Sequence, residues 1–338
     1  MLYQRDPARP TVPFFRTNCW ELETSPLSVP YARQPISAVV LTVPGGGVAG
    51  ENYYYNICVA GFADGNSAAD APTSISLGEG VVTGVIANAA GKQKVVADGE
   101  GYVINNNAWG VNSGNGTQRI RYTNNSFEVL QQSAGPGGDG SPATFPSIYV
   151  GRNGSQMGVN GAITTDTDNL PKRVSDIVSA QTTFNISGAM GDNNATYDVW
   201  FATAAPAGEY DTAQAAFLMV WTHKPGSRNP IGTNNQPFQT GQTVAGVPGT
   251  WDLWVGRRGG GGPDANNPVI NYVAPATVRN FTANLNLFIQ DAVARSSSGR
   301  LNGFQFSNQL FLTDVFAGFE IWSGGAGLRV DKFSIDVQ

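Results

Sequence analysis

Charge is scarce in this sequence. Asp, Glu, Lys and Arg make up 13% of its 338 residues, where about 25% is usual. The net charge is −5 and no Lys/Arg cluster occurs, so nucleic acid is not an expected partner. Histidine is nearly absent: a lone His223 makes neither a catalytic triad nor a metal cluster, and is expected to be a surface or hydrogen-bonded residue. No spaced calcium loop is present. Asp166 and Asp168 in TTDTDN could at most hold a cation weakly, so neither metal nor cofactor is expected. Cysteine is limited to Cys19 and Cys58, which either pair or remain two buried thiols. No apolar run approaches the roughly 18–20 residues of a membrane span. The opening MLYQRDPARPTVPFF carries charges and prolines where a secretory leader has its apolar stretch. Three readings follow: a mature secreted chain with an added Met, a non-classical exporter, or a protein released by lysis within a virus particle.

What is abundant is glycine (42) and proline (20), together with Asn, Ser and Thr, the composition of a loop-rich β-protein. Residues 1 to about 36 read as an extended arm. Ser37–Val43, Tyr53–Ala60, Thr73–Leu77 and Val81–Ile86 read as strands separated by turn residues. Residues 1–90 are therefore expected to form an arm and a small β-domain serving assembly or attachment, with Ala87–Lys94 as the link to residues 91–338. From Tyr102 onward, strands of five to eight residues alternate with turn clusters such as Asn124-Asn125 and Gly135–Gly140. The apolar spacing of Leu285, Phe288, Ile289 and Ala292 predicts one amphipathic helix over Asn280–Ala294. The fold class is all-β, a jelly-roll sandwich with one short helix.

Three strands carry the functional signal. In Phe217-Leu218-Met219-Val220-Trp221, strand geometry puts Phe217, Met219 and Trp221 on one face and Leu218 and Val220 on the other. In Tyr197–Phe201, Asp198 and Trp200 oppose Tyr197, Val199 and Phe201. In Ala317–Trp322, Glu320 and Trp322 oppose Phe319 and Ile321. Each strand has one apolar face, suited to the interior of two packed sheets. The second face mixes carboxylates with tryptophans. Aromatic rings stack on pyranose faces while carboxylates meet hydroxyls or the glycosidic oxygen, so this face suits a sugar groove.

These segments resemble glycoside hydrolase family 12, endoglucanases and xyloglucanases with a concanavalin-A-like β-jelly roll. The strongest match is AGFEIWSGGAGL (317–328). It is joined by NNNAWG (105–110), FPSIYVG (145–151), LPKRVSDI (170–177), YDVWF (197–201), LMVW (218–221) and TWDLWVG (250–256), all in family order. The resemblance places the acid/base glutamate at Glu320 and its supporting aspartate at Asp198. It places sugar-binding residues at Asn107, Trp109, Met219 and Trp221. It also gives the helix a structural role on the sandwich, and implies that the Gly-rich insertion Gly259–Gly262 borders the cleft. Many relatives carry a disulfide after the SIY motif; GRNGSQMG here has no cysteine, which fits folding in a reducing cytoplasm.

One departure changes the expectation. The family's nucleophile is a glutamate four residues before the tryptophan, and here that position is Phe217. Retaining hydrolysis needs two carboxyl groups about 5–5.5 Å apart, and phenylalanine can neither attack nor activate water. The expected function is thus glycan binding without cleavage, as an adhesin on the surface of a bacteriophage particle (tail or capsid), with secretion as the alternative setting. Partners would be a cell-surface or β-linked polysaccharide, further copies of the chain, and other virion proteins through residues 1–90. A purely structural protein, and an enzyme using an unorthodox carboxylate such as Glu209 or Asp211, are the alternatives.

Overall fold

The computed structural model describes residues 82–97, 100–151, 165, 169–205, 214–259, 266–301 and 303–338, with two short strands at 23–24 and 27–28. The other strands expected before residue 82, Cys19, Cys58, Asp166, Asp168, Glu209, Asp211 and residues 260–262 lie outside the described residues. The chain divides into two compact units, Met1–Leu77 and Gly78–Gln338. In the first, Glu23–Thr24 (β1) pairs antiparallel with Leu27–Ser28 (β2).

The second unit is a two-sheet sandwich. Among the described residues its outer sheet has six strands, in the order Asn280–Asn284 (β17), Ala180–Ser187 (β10), Arg329–Val337 (β20), Ser126–Gln132 (β7), Gln118–Thr123 (β6) and Thr83–Ile86 (β3). Among the same residues its inner sheet has ten. These run Gln239–Gln242 (β14), Trp251–Arg257 (β15), Pro268–Val273 (β16), Gln214–His223 (β13), Ala195–Ala202 (β12), Phe311–Gly318 (β18), Ser147–Gly151 (β8), Glu100–Asn105 (β5) and Lys92–Ala97 (β4), with Lys172–Arg173 (β9) pairing beside β18. Asp192–Asn193 (β11) pairs with Ile321–Ser323 (β19). Strand β3 is hydrogen-bonded into the outer sheet and β4 into the inner one, so residues on both sides of the Ala87–Lys94 link contribute to the same sandwich.

Alternation along the strands assigns the faces as the sequence predicts. Tyr197, Val199, Phe201, Leu218, Val220, Phe319 and Ile321 lie in the core between the sheets. Phe217, Met219, Trp221 and Trp322 lie on the other face of the inner sheet, in a separate aromatic cluster with Trp254 and Val269. The helix, Asn286–Ser297 (α2), starts later than its apolar spacing suggests. Residues 280–284 instead form β17, because Phe281 is buried between exposed Asn280 and Thr282 in period-two alternation and pairs with Phe184. Leu285, Phe288, Ile289 and Ala292 are all buried. Phe288 meets Trp251 edge-on at 5.0 Å and so anchors the helix to the sandwich. A second, one-turn helix at Trp109–Asn112 (α1) has no helical sequence pattern behind it.

Candidate functional site

On the face of the inner sheet turned away from the core, register aligns side chains from neighbouring strands into rows. One row runs Phe316, Asp198, Met219, Asn271, Trp254, each partnered with the next across β18, β12, β13, β16 and β15. The adjacent row runs Asp314, Trp200, Phe217, Val269. Phe217 is therefore one step from Met219 along β13 and directly beside Trp200. It is 3% exposed, and the Trp200 ring meets it edge-on with centroids 3.9 Å apart. Trp200, itself partly exposed, joins the Phe217 cluster to a second one of Val103, Phe145, Tyr149 and Phe316.

Glu320 is placed by a break in the strand. β18 ends at Gly318 and pairing resumes at Ile321 in β19, so Phe319-Glu320 turns free of both ladders. The Glu320 N–H donates to Asn194 Oδ1 at 2.8 Å, the Asn194 N–H donates to the Glu320 carbonyl at 3.0 Å, and Asn194 Nδ2 donates to the Glu320 carboxylate. Buried Asn194 thus fixes both backbone and side chain of Glu320. Burial raises the Glu320 carboxyl to about 7, against the opposing pull of Asn194 and the Arg258 guanidinium. Burial also raises Asp198, with the Glu320 charge adding to the effect, up to about 8; Arg258 and a hydrogen bond from Trp200 oppose this. Two carboxyl groups thus share one electrostatic environment, and both hold their protons to near neutrality. A carboxyl tuned in this way can donate a proton at neutral pH.

Arg258 was not foreseen. It follows β15 at the start of the Gly-rich insertion, and its guanidinium lies 5.9 Å from the centre of the Phe217 ring. Among the described residues, then, the surroundings of Phe217 are an indole edge, apolar side chains and a cation. A third carboxyl, Asp314, is 1% exposed with Oδ1 lacking a hydrogen-bond partner. Burial raises it well above the usual range, the Asp198 charge adds to this, and Lys92 opposes it.

The remaining residues singled out from sequence spread along this face. Met219 is 7% and Trp221 2% exposed, with Trp221 and Trp322 ring centroids 6.5 Å apart. Trp109 stands apart from these at the start of α1. It is 38% exposed, and its Nε1 donates to the Pro142 carbonyl at 2.6 Å, which fixes the ring in place. Asn107 adopts a left-handed backbone (φ 40°) and its carbonyl accepts from Phe145 N–H, tying the Trp109 segment to the loop before β8. His223 bonds Thr277 Oγ1 at 2.7 Å. Among the described residues no group of three or more His, Cys, Asp or Glu is placed to hold a metal ion.

Asn194 and Arg258 escaped the sequence reading because both act across long chain separations. An Asn preceding a strand, or an Arg beside glycines, has no spacing relative to Glu320 that a local pattern could register.

Comparison with known proteins gives one consistent answer. The family model described as glycosyl hydrolase family 12 matches residues 100–338. A xyloglucan-specific endo-β-1,4-glucanase A of Aspergillus aculeatus is 26% identical over 241 residues, 70% of this chain and 86% of its own length. Endoglucanase S of Pectobacterium parmentieri is 23% identical over 242 residues, 70% and 82% of the two chains. Among solved structures, a metagenome-derived family 12 endoglucanase superposes with TM-score 0.60 at 28% identity, covering 76% of this chain and 98% of its own. Endoglucanase Cel12A from Rhodothermus marinus gives 0.59 at 26% identity, with 75% and 98% covered.

Proposed function

Because the chain belongs to glycosyl hydrolase family 12, we propose that it holds a β-linked glucan along the face of its inner sheet turned away from the core, without hydrolysing it. The observation that carries this reading is the environment of Phe217. On the family resemblance it stands where the attacking carboxylate belongs, and it is buried against Trp200 with Arg258 over its ring. A double displacement needs a carboxylate there to form the glycosyl intermediate, and an inverting route needs a base with room for water; a packed ring supplies neither. Asn107, Trp109, Asp198, Met219, Trp221 and Glu320 are then the binding residues, with Trp109 as stacking platform and the two carboxyls as hydrogen-bonding groups. The names of the relatives direct the choice of ligand to xyloglucan and unbranched β-1,4-glucan.

Calorimetry with xyloglucan and cello-oligosaccharides tests this. Binding is expected, weakened about tenfold by Trp109→Ala, the loss of roughly one stacking contact, with no reducing sugar released. A second reading, residual hydrolysis, is favoured by one observation: Glu320 keeps the near-neutral pKa of a general acid. Reducing-sugar release that Glu320→Gln abolishes would establish it and overturn the first. Failure to bind any glycan would leave a structural role. The virion setting rests on the reading of residues 1–90, and mass spectrometry of purified particles tests it separately.

A further inference from the structure

We infer that Asp192 and Arg228 are positioning residues: their ion pair clasps β19 to β11 and so holds Glu320 and Trp322 in place. The inference adds to the glycan-binding reading above, in which Glu320 is a binding residue, but it concerns placement and is tested without a ligand.

Glu320 lies in the break just before β19, and Asn194, which fixes it, directly follows β11. Its placement therefore rests on the β11–β19 pair. That pair joins only Asp192 to Ser323 and Asn193 to Ile321, with an irregularity between the two. A ribbon so short is not stable alone. On its other side, among the described residues, β19 has the isolated bridge of Ile321 to Thr144.

The Asp192 carboxylate supplies a tie across this ribbon. Its Oδ1 accepts from Arg228 Nε at 2.9 Å and from Ser227 Oγ at 2.8 Å. Its Oδ2 accepts from Arg228 Nη2 at 2.8 Å and from Ser323 Oγ at 3.3 Å. Three segments thus meet on one carboxylate: β11, β19 and the loop after β13, the strand that carries Phe217, Met219 and Trp221. The two side chains are 27% and 23% exposed, and a two-pronged guanidinium–carboxylate contact is the geometry in which such a pair contributes more than a loose surface contact does. The Arg228 guanidinium also lies over the Trp322 ring, 5.5 Å from its centre, while Trp322 Nε1 donates to the Gly140 carbonyl at 2.8 Å. Hydrogen bonds from Arg228 hold the Asp192 carboxyl below its ordinary range, with Ser227 and Ser323 adding to this, so the pair stays charged at neutral pH. The cation that acts on the Glu320 carboxyl is Arg258 rather than Arg228. A change at Glu320 on breaking the clasp therefore reports displacement, not a lost charge.

Titration of the Glu320 carboxyl by NMR in the full chain tests the inference. Arg228→Gln and Asp192→Asn are each expected to lower its midpoint by about one pH unit, because a loosened β19 admits water to a carboxyl that burial holds up. The double variant should go no further than either single one, as two ends of one contact do. Arg121→Gln, which breaks the Arg121–Glu128 pair of the outer sheet, should leave the midpoint unchanged. Thermal melting shows which variants fold. If Arg228→Gln does not, Arg228→Lys, which keeps the charge and loses the fork, carries the test with a shift of the same sign. An unmoved Glu320 midpoint in the folded variants, or an equal shift in Arg121→Gln, would overturn the clasp. Calorimetry with cellohexaose separates this from the glycan reading. Where the parent binds, the clasp variants should weaken binding several-fold and Arg121→Gln should not; equal affinities would overturn the clasp. Where the parent binds no glycan, the glycan reading falls and the Glu320 midpoint still decides the clasp.

Discussion

Phe217, Asp198, Glu320 and Arg258 together define what chemistry the proposed cleft can support. The apolar ring fills its space at 3% exposure, while the guanidinium above it pulls down two carboxyls that burial pushes up. Returning a carboxylate to position 217 is the direct test of which component is missing. Phe217→Glu is expected to give slow reducing-sugar release from β-glucan where the parent gives none, lost again in the Phe217→Glu, Glu320→Gln double variant. The same change places a carboxylate among Met219, Trp221, Trp254 and Trp200, with Arg258 as a nearby cation. It should therefore cost on the order of 1–3 kcal/mol of stability, read as a lowered melting temperature. Release that persists in the double variant would show that Glu320 is not the proton donor.

Among the elements, the break between β18 and β19 is the one on which the position of Glu320 depends. Gly318 lies at its start, paired with Ser147 across β8, and a Cβ there would run into the Pro146 carbonyl oxygen and come within 2.8 Å of Ser147 Cα. These are backbone atoms held in a ladder and cannot yield as a flexible side chain would. Gly318→Ala is expected to cost about 1–3 kcal/mol and to move Glu320 away from Asn194. Thermal melting checks the first effect; a change in the Glu320 titration followed by NMR checks the second. At this scale the alternation of residues 197–201 and 217–221 was legible, because a period of two fixes which side chains share a face whatever the partner strand. The start of α2 was not. The apolar spacing after residue 285 is helical, but residues 280–284 are drawn into the outer sheet by the pairing of Phe281 with Phe184, nearly 100 positions earlier.

For the second unit as a whole, Asp198 and Glu320 set a dependence on pH. Folding raises the two carboxyls to about 8 and about 7, whereas in the unfolded chain both lose their protons near pH 4. Between these limits the folded state binds more protons than the unfolded one, so stability is highest at the acid end and falls as pH rises toward about 8. Asp198→Asn removes its share. The parent should lose on the order of 1–3 kcal/mol more than the variant between about pH 5 and pH 9, measured by chemical denaturation at each pH. Parallel curves for the two proteins would show that Asp198 titrates normally.

The family, the all-β class and the two-faced character of residues 197–201 and 217–221 were fixed by local order, since motif succession and side-chain alternation are properties of the chain alone; the break of the expected strand 317–322 at Phe319-Glu320 was not. Only the tertiary structure brought Asn194 under Glu320, Arg258 over Phe217, and Trp254 into line with Asp198. Those relations arise from strand register and loop placement between segments tens to more than a hundred residues apart. The field each carboxyl feels depends on that packing, which no single stretch of sequence contains.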